Sequence, residues 1–165
     1  MKETNGKLQR LRTDDQFKEY LNQNPQINLI DDKGLAALRI KLGKNHRKES
    51  DWDIIKGILD GHNLIVMEPE CDIQNINVIE HILCDDGYLM VFTNMSDAKK
   101  YIVELNERHR ASGRIFQIGV MPFEEIIKTA DYYRKNIMID YRMEKNRKLL
   151  IYYWRDHSLK ASIIL

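Results

Sequence analysis

Cysteine is scarce in this chain. Cys71 and Cys84 are the only two, too few for a disulfide framework, and no Cys-x-x-Cys pair is present to build a tetrahedral metal site. Both read as reduced thiols of a cytosolic protein. The eight glycines are scattered, so no glycine-rich phosphate loop can form. Apolar runs such as Leu64 to Met67 are far too short to span a bilayer. The polar stretch from Met1 to Thr13 lacks the apolar core of a signal peptide. An excess of one charge is also missing. Twenty-six basic residues face 25 acidic ones, a net charge of +1, whereas a protein held on phosphates usually carries a clear basic surplus. These absences predict a cytoplasmic protein for which neither membrane nor nucleic acid is an expected partner, and no cofactor is expected.

What is present is an ordinary globular composition. Hydrophobic residues make up 43% and charged residues 31% of 165, enough for one domain with its own core. Residues 1–12 are expected to form a flexible leader and residues 13–165 a single domain.

The first half reads as helical. Thr13 and Gln16 fit a capping box before Phe17, Tyr20 and Leu21, and Pro25 ends that helix. Asp32 is expected to cap a second helix through Leu35, Leu38 and Leu42, stopped by Gly43. Ser50 with Asp53 is expected to open a third, with Trp52, Ile55 and Leu59 on one face and Gly61 as a left-handed cap. Lys44, His46, Arg47 and Lys48 between them read as a solvated loop.

Strands follow. Leu64 to Met67 is a buried strand by its continuous apolar run. Asn77 to Cys84 is compatible with helix or strand, and a strand is preferred because Asp85-Asp86-Gly87 is a hairpin signal before Tyr88 to Thr93. Ser96 is expected to cap a helix carrying Ala98, Tyr101, Ile102 and Leu105 on one side. Ile115 to Val120 forms a strand, and Pro122 starts a helix with Phe123, Ile126, Ile127 and Ala130 inward. Ile137 to Tyr141 alternates as a strand does, and Leu149 to Trp154 is the last strand expected. Ile163 to Leu165 is an apolar tail that packs back or extends a sheet across a homodimer.

Gly87-Tyr88-Leu89-Met90-Val91-Phe92-Thr93, followed by a capped helix, resembles the N-terminal domain of the SseB family, named for enhanced serine sensitivity. Met121-Pro122-Phe123-Glu124-Glu125 and Ile137 to Tyr141 continue the pattern, which covers roughly residues 50 to 143. The family often has Asn-Pro after its last core strand, where Asp140-Tyr141 stands here. The resemblance implies an α+β fold and a non-enzymatic accessory role.

No motif carries an evident chemistry. His81 and Cys84 have metal-compatible spacing but no second pair, so no metal site is expected. Asp85 and Asp86 are turn residues, too close together for a carboxylate pair across a cleft. Asp156, His157 and Ser158 have the residue types of a triad, but triads are assembled from distant segments; no catalytic residue is assigned. Arg108, Arg110 and Arg114 form a basic cluster whose structural reading is complementing a helix dipole and whose functional reading is nucleic-acid binding. Thr93, Asn94 and Ser96, between a strand and a helix N-terminus, are the ligand-facing candidate. The expectation is therefore an α+β fold with a mixed or mainly antiparallel sheet of about five strands, helices packed on one face and the N-terminal helices alongside. The expected function is a non-enzymatic protein-interaction or regulatory domain of the bacterial cytoplasm whose partner is another protein. Weak nucleic-acid binding and an unrecognised enzyme are the alternatives.

Overall fold

The computed structural model describes residues 14–69, 84–85, 87–113, 115–141 and 148–163. Five α-helices are present among them: α1 (Asp14–Gln23), α2 (Asp32–Gly43), α3 (Glu49–Asp60), α4 (Met95–Arg108) and α5 (Phe123–Tyr133). The strands are β1 (Asn63–Pro69), β2 (Cys84–Asp85), β3 (Tyr88–Phe92), β4 (Phe116–Pro122), β5 (Asn136–Ile139), β6 (Lys148–Tyr153) and β7 (Ser158–Ile163). They form one mixed sheet in the order β4-β1-β3-β5-β6-β7, with the two-residue β2 also pairing with β3. The β3–β5 pair is parallel, and the other pairings between these strands are antiparallel. An α+β fold with a mixed sheet is what the sequence predicts.

The placement of the helices is not. They cover both faces of the sheet rather than one. Leu64, Val66, Leu89, Val91, Ile137 and Ile139 point to one side, where Leu38, Ile55, Leu59, Phe123, Ile126 and Ala130 bring α2, α3 and α5. Ile65, Met67, Met90, Phe92, Phe116 and Ile118 point to the other, where Phe17, Tyr101, Ile102 and Leu105 bring α1 and α4. The strand order supplies the reason. The β3–α4–β4 connection steps across the sheet in one direction, and β4–α5–β5 steps back in the other. Both join strands that run parallel, and such crossovers are right-handed. Reversing the direction with the same hand puts the second helix on the opposite face. β1 and β3 are therefore buried on both sides, which is why they read as continuous apolar runs. Each such side chain contributes about 1.5–3 kcal/mol when fully buried.

Local chemistry corrects several helix ends. The α2 cap is Asp31, whose carboxylate accepts the Gly34 N–H at 2.8 Å; Asp32 is the first helical residue. α3 begins after Lys48, with Asp51 Oδ2 accepting the Lys48 N–H at 2.9 Å, so the Ser50–Asp53 box does not form. Gly61 has φ −90° and is not a left-handed cap. Pro122, at φ −58° and ψ 141°, ends β4 and precedes α5, whose first residue is Phe123. Gly87 has φ 83°, as the turn between Asp85 and Tyr88 requires. The C-terminal apolar stretch is partly a strand: Ile163 pairs with Lys148 in the β6–β7 ladder, and β7 is the last strand of the sheet. Thr13, Cys71, residues 77–83 with His81 among them, Asp86 and residues 164–165 lie outside the described residues.

A candidate pocket between two helices and a hairpin

The ligand-facing candidate Thr93, Asn94 and Ser96 lies at the end of β3, beside the end of parallel β5. Its groups serve the fold. Thr93 is buried and donates through N–H and Oγ1 to the two carboxylate oxygens of Asp140, at 2.8 and 2.5 Å. Asp140 has φ 63° and its own N–H donates to Val91 O at 2.9 Å. This tie holds the two parallel strands together where their ladder ends. Asn94, not Ser96, caps α4, with Oδ1 accepting the Asp97 N–H at 2.9 Å. Ser96 is the second helical residue and is exposed.

Two of the three basic candidates are described, and each has a partner of its own. Arg108 lies over the Tyr101 ring, 5.8 Å from its centroid, and donates to the Tyr101 hydroxyl at 3.3 Å. Arg110 pairs with Glu107 at 3.5 Å on the exposed surface. Arg114 lies outside the described residues. The loop before α3 is less solvated than its charge suggests. Lys41 and Lys44 both reach Asp51 Oδ1 at 2.9 Å. Arg47 donates to the carbonyls of Leu42 and Lys44 at 2.9 and 2.7 Å and sits 5.3 Å from the centre of the Trp52 ring. The hydrogen bonds from the two lysines hold the Asp51 carboxyl well below the usual carboxylate range. Together these contacts lock the turn between α2 and α3 and set the position of Trp52.

That position opens a pocket of about 360 Å³, within the range of small-ligand sites. Trp52, Asp53 and Lys56 come from α3. Phe123, Ile127 and Asp131 come from α5, spaced four residues apart so that they form one stripe. Tyr152 rises from β6, and His157 and Leu159 come from the β6–β7 hairpin. The floor is apolar and aromatic; the acids, lysine and histidine stand around it.

Three features set this place apart. Asp131 Oδ1 is shielded from solvent and has no hydrogen-bond partner among the described residues, the state that folding normally avoids. His157 Nε2 lies 3.6 Å from it, beyond hydrogen-bond length. His157 has φ 53°, the left-handed region that costs an ordinary L-residue about 1–2 kcal/mol, and its ring stacks on Tyr152 with centroids 6.3 Å apart and planes at 11°. Burial first, then the Asp131 carboxylate, pushes the Tyr152 phenol up to about 12. Tyr152 is thus an O–H donor at neutral pH, not a base.

Asp156, His157 and Ser158 do not act as a relay. Ser158 Oγ donates to Asp156 Oδ1 at 2.7 Å, while His157 turns towards Asp131. Of the pocket residues, the sequence reading singled out only His157 for its chemistry. Asp131 had a legible signal: it continues the Phe123–Ile127 stripe, a charge on an otherwise apolar helix face. Tyr152 and Trp52 had none, because their approach depends on how α3 and α5 pack on β6.

Away from the pocket, Glu68 on β1 faces Gln117 across the β1–β4 ladder. Its carboxyl lies against Gly119, where a Cβ would stand 2.8 Å from Glu68 Cδ. Burial raises Glu68 from 4.5 to about 7. Gln117 Oε1 is buried there without a hydrogen-bond partner among the described residues. No group of three or more metal-ligating side chains occurs among the described residues, and none of their helices is long and apolar enough to cross a membrane.

Comparison of the chain with protein-family models, with curated proteins and with solved structures found no match.

Proposed function

We propose that the chain is a non-enzymatic interaction or regulatory domain of the bacterial cytoplasm, the class implied by its resemblance to the SseB family, and that the pocket between α3, α5 and the β6–β7 hairpin is its recognition site. The lining carries the reading. An aromatic and aliphatic floor is combined with a few polar groups that converge from three elements, the arrangement of binding sites. The described residues that line it include no serine, threonine or cysteine to serve as a nucleophile beside His157. A group entering here is held by contact, stacking and hydrogen bonds. The strained His157 and the orphaned Asp131 oxygen fit this reading, because such costs concentrate where a chain meets its ligand.

The test is capture of partners from bacterial lysate by the tagged chain, with nuclease, set against an Ile127→Arg variant whose long side chain fills the pocket. Circular dichroism establishes that the variant is folded. A stoichiometric protein retained by the wild type and lost by the variant is the expected result. Equal capture by both would remove the pocket as the recognition site. Recovery that vanishes with nuclease would replace this reading by one centred on Arg108, Arg110 and Arg114.

A further inference from the structure

We infer that the pocket receives an organic cation on an apolar stem, an ammonium or guanidinium group seated against Asp131. The inference rests on the reading of this pocket as the recognition site and names the chemistry that it selects.

Asp131 Oδ1 is shielded from water and without a donor among the described residues. A carboxylate oxygen in that state gains most from a charged N–H brought by a ligand. His157 Nε2, at 3.6 Å, covers it without closing a hydrogen bond. The Asp131 side chain as a whole keeps 38% of its exposure, so a cation can approach the carboxylate. The walls favour the same sign. Trp52, Phe123 and Tyr152 contribute aromatic rings, whose faces are negative and attract cations. Trp52 already carries one, the Arg47 guanidinium 5.3 Å from its ring centre. The rise of the Tyr152 phenol reports, after burial, the nearness of the Asp131 carboxylate, through its charge and through hydrogen bonding, and then the charge of Asp156. Asp53 adds a further carboxylate to the lining, and Lys56, the lysine there, is exposed and stands on α3 at the rim. An anionic head group would meet Asp131 as a like charge. The volume of about 360 Å³ leaves room for a ring or alkyl stem against Ile127 and Phe123.

The experiment titrates the ¹⁵N-labelled full chain with three probes that share one ring: phenethylamine, 2-phenylethanol and 3-phenylpropionate. A blocked glycine-arginine-glycine peptide is the fourth. The indole signal of Trp52 and the amide of His157 report occupancy. The amine is expected to bind at least about tenfold more tightly than the alcohol or the acid, a difference of about 1.4 kcal/mol. Asp131→Asn, which keeps the shape, is expected to bring the amine down to the alcohol. Binding of the peptide in preference to the amine assigns the cation to a partner's side chain, and the reverse assigns it to a free amine. Either supports the inference. If the acid or the alcohol shifts Trp52 as tightly as the amine, or if Asp131→Asn leaves amine affinity unchanged, the cation inference falls while the pocket remains a binding site. Silence of Trp52 and His157 towards all four probes at millimolar concentration overturns both.

Discussion

Glu68 places an ionisable carboxyl inside the sheet, and its removal should stabilise the protein in a defined pH window. Burial raises the group from 4.5 to about 7. Between those values the folded chain holds a proton that the unfolded chain has lost. Stability therefore falls as pH rises through this window and stays reduced above it. Each pH unit is worth about 1.4 kcal/mol, so the full effect is about 3 kcal/mol. Glu68→Gln keeps the length and the hydrogen-bonding shape but cannot ionise. The assay is urea unfolding followed by circular dichroism at several pH values from 4.5 to 8. Wild type and variant should match at pH 4.5. At pH 8 the variant should be more stable by up to about 3 kcal/mol, with most of the gap opening before pH 7. Other carboxylates, such as Asp51, titrate equally in both proteins and cancel in the difference. Equal stabilities at pH 8 would refute the reasoning, since they would mean that the Glu68 carboxylate is solvated in the folded state. A gap that does not change with pH would refute it too, because it would be a packing effect.

Three further outcomes are expected. His157→Gly should relieve the left-handed backbone and raise stability by up to about 1 kcal/mol, read by thermal unfolding. Thr93→Val removes the hydroxyl donor to Asp140 and should cost about 1–3 kcal/mol in urea unfolding, with little change in the pocket. Asp51→Asn weakens the clamp between α2 and α3 and should lower the melting temperature above pH 4. The Asp51 carboxyl is held below its ordinary value of 3.8, so its contribution is present above that pH and is lost as pH falls below it. The difference between wild type and variant should therefore shrink in acid.

How much of this was legible in the sequence can be judged element by element. The helix around Trp52 to Leu59 and the strands at Leu64 to Met67 and Tyr88 to Phe92 were readable because their apolar spacing matches the period of each backbone. The turn glycine at 87 was readable because the tight turn before Tyr88 needs a positive φ, which glycine adopts without strain. Caps were harder. Asp31 and Asn94 each have a neighbour of similar chemistry, Asp32 and Ser96, and the choice depends on which residue turns extended. β7 was missed because Ser158 to Ser162 alternates weakly and is held by its ladder to β6 rather than by its own pattern.

Composition and periodicity alone determined an α+β chain with no membrane-length apolar run and no metal-binding motif, because these properties are set by residues close together along the chain. Tertiary structure decided the rest. The strand order reverses direction after β4, which sends α4 and α5 to opposite faces of the sheet. Only that placement brings Asp131, Tyr152 and His157 beside Trp52. The candidate loop at Thr93 lost its free groups to Asp140, 47 positions along the chain. Local patterns record how each segment folds; which segments meet depends on long-range packing, and the pocket exists only where they meet.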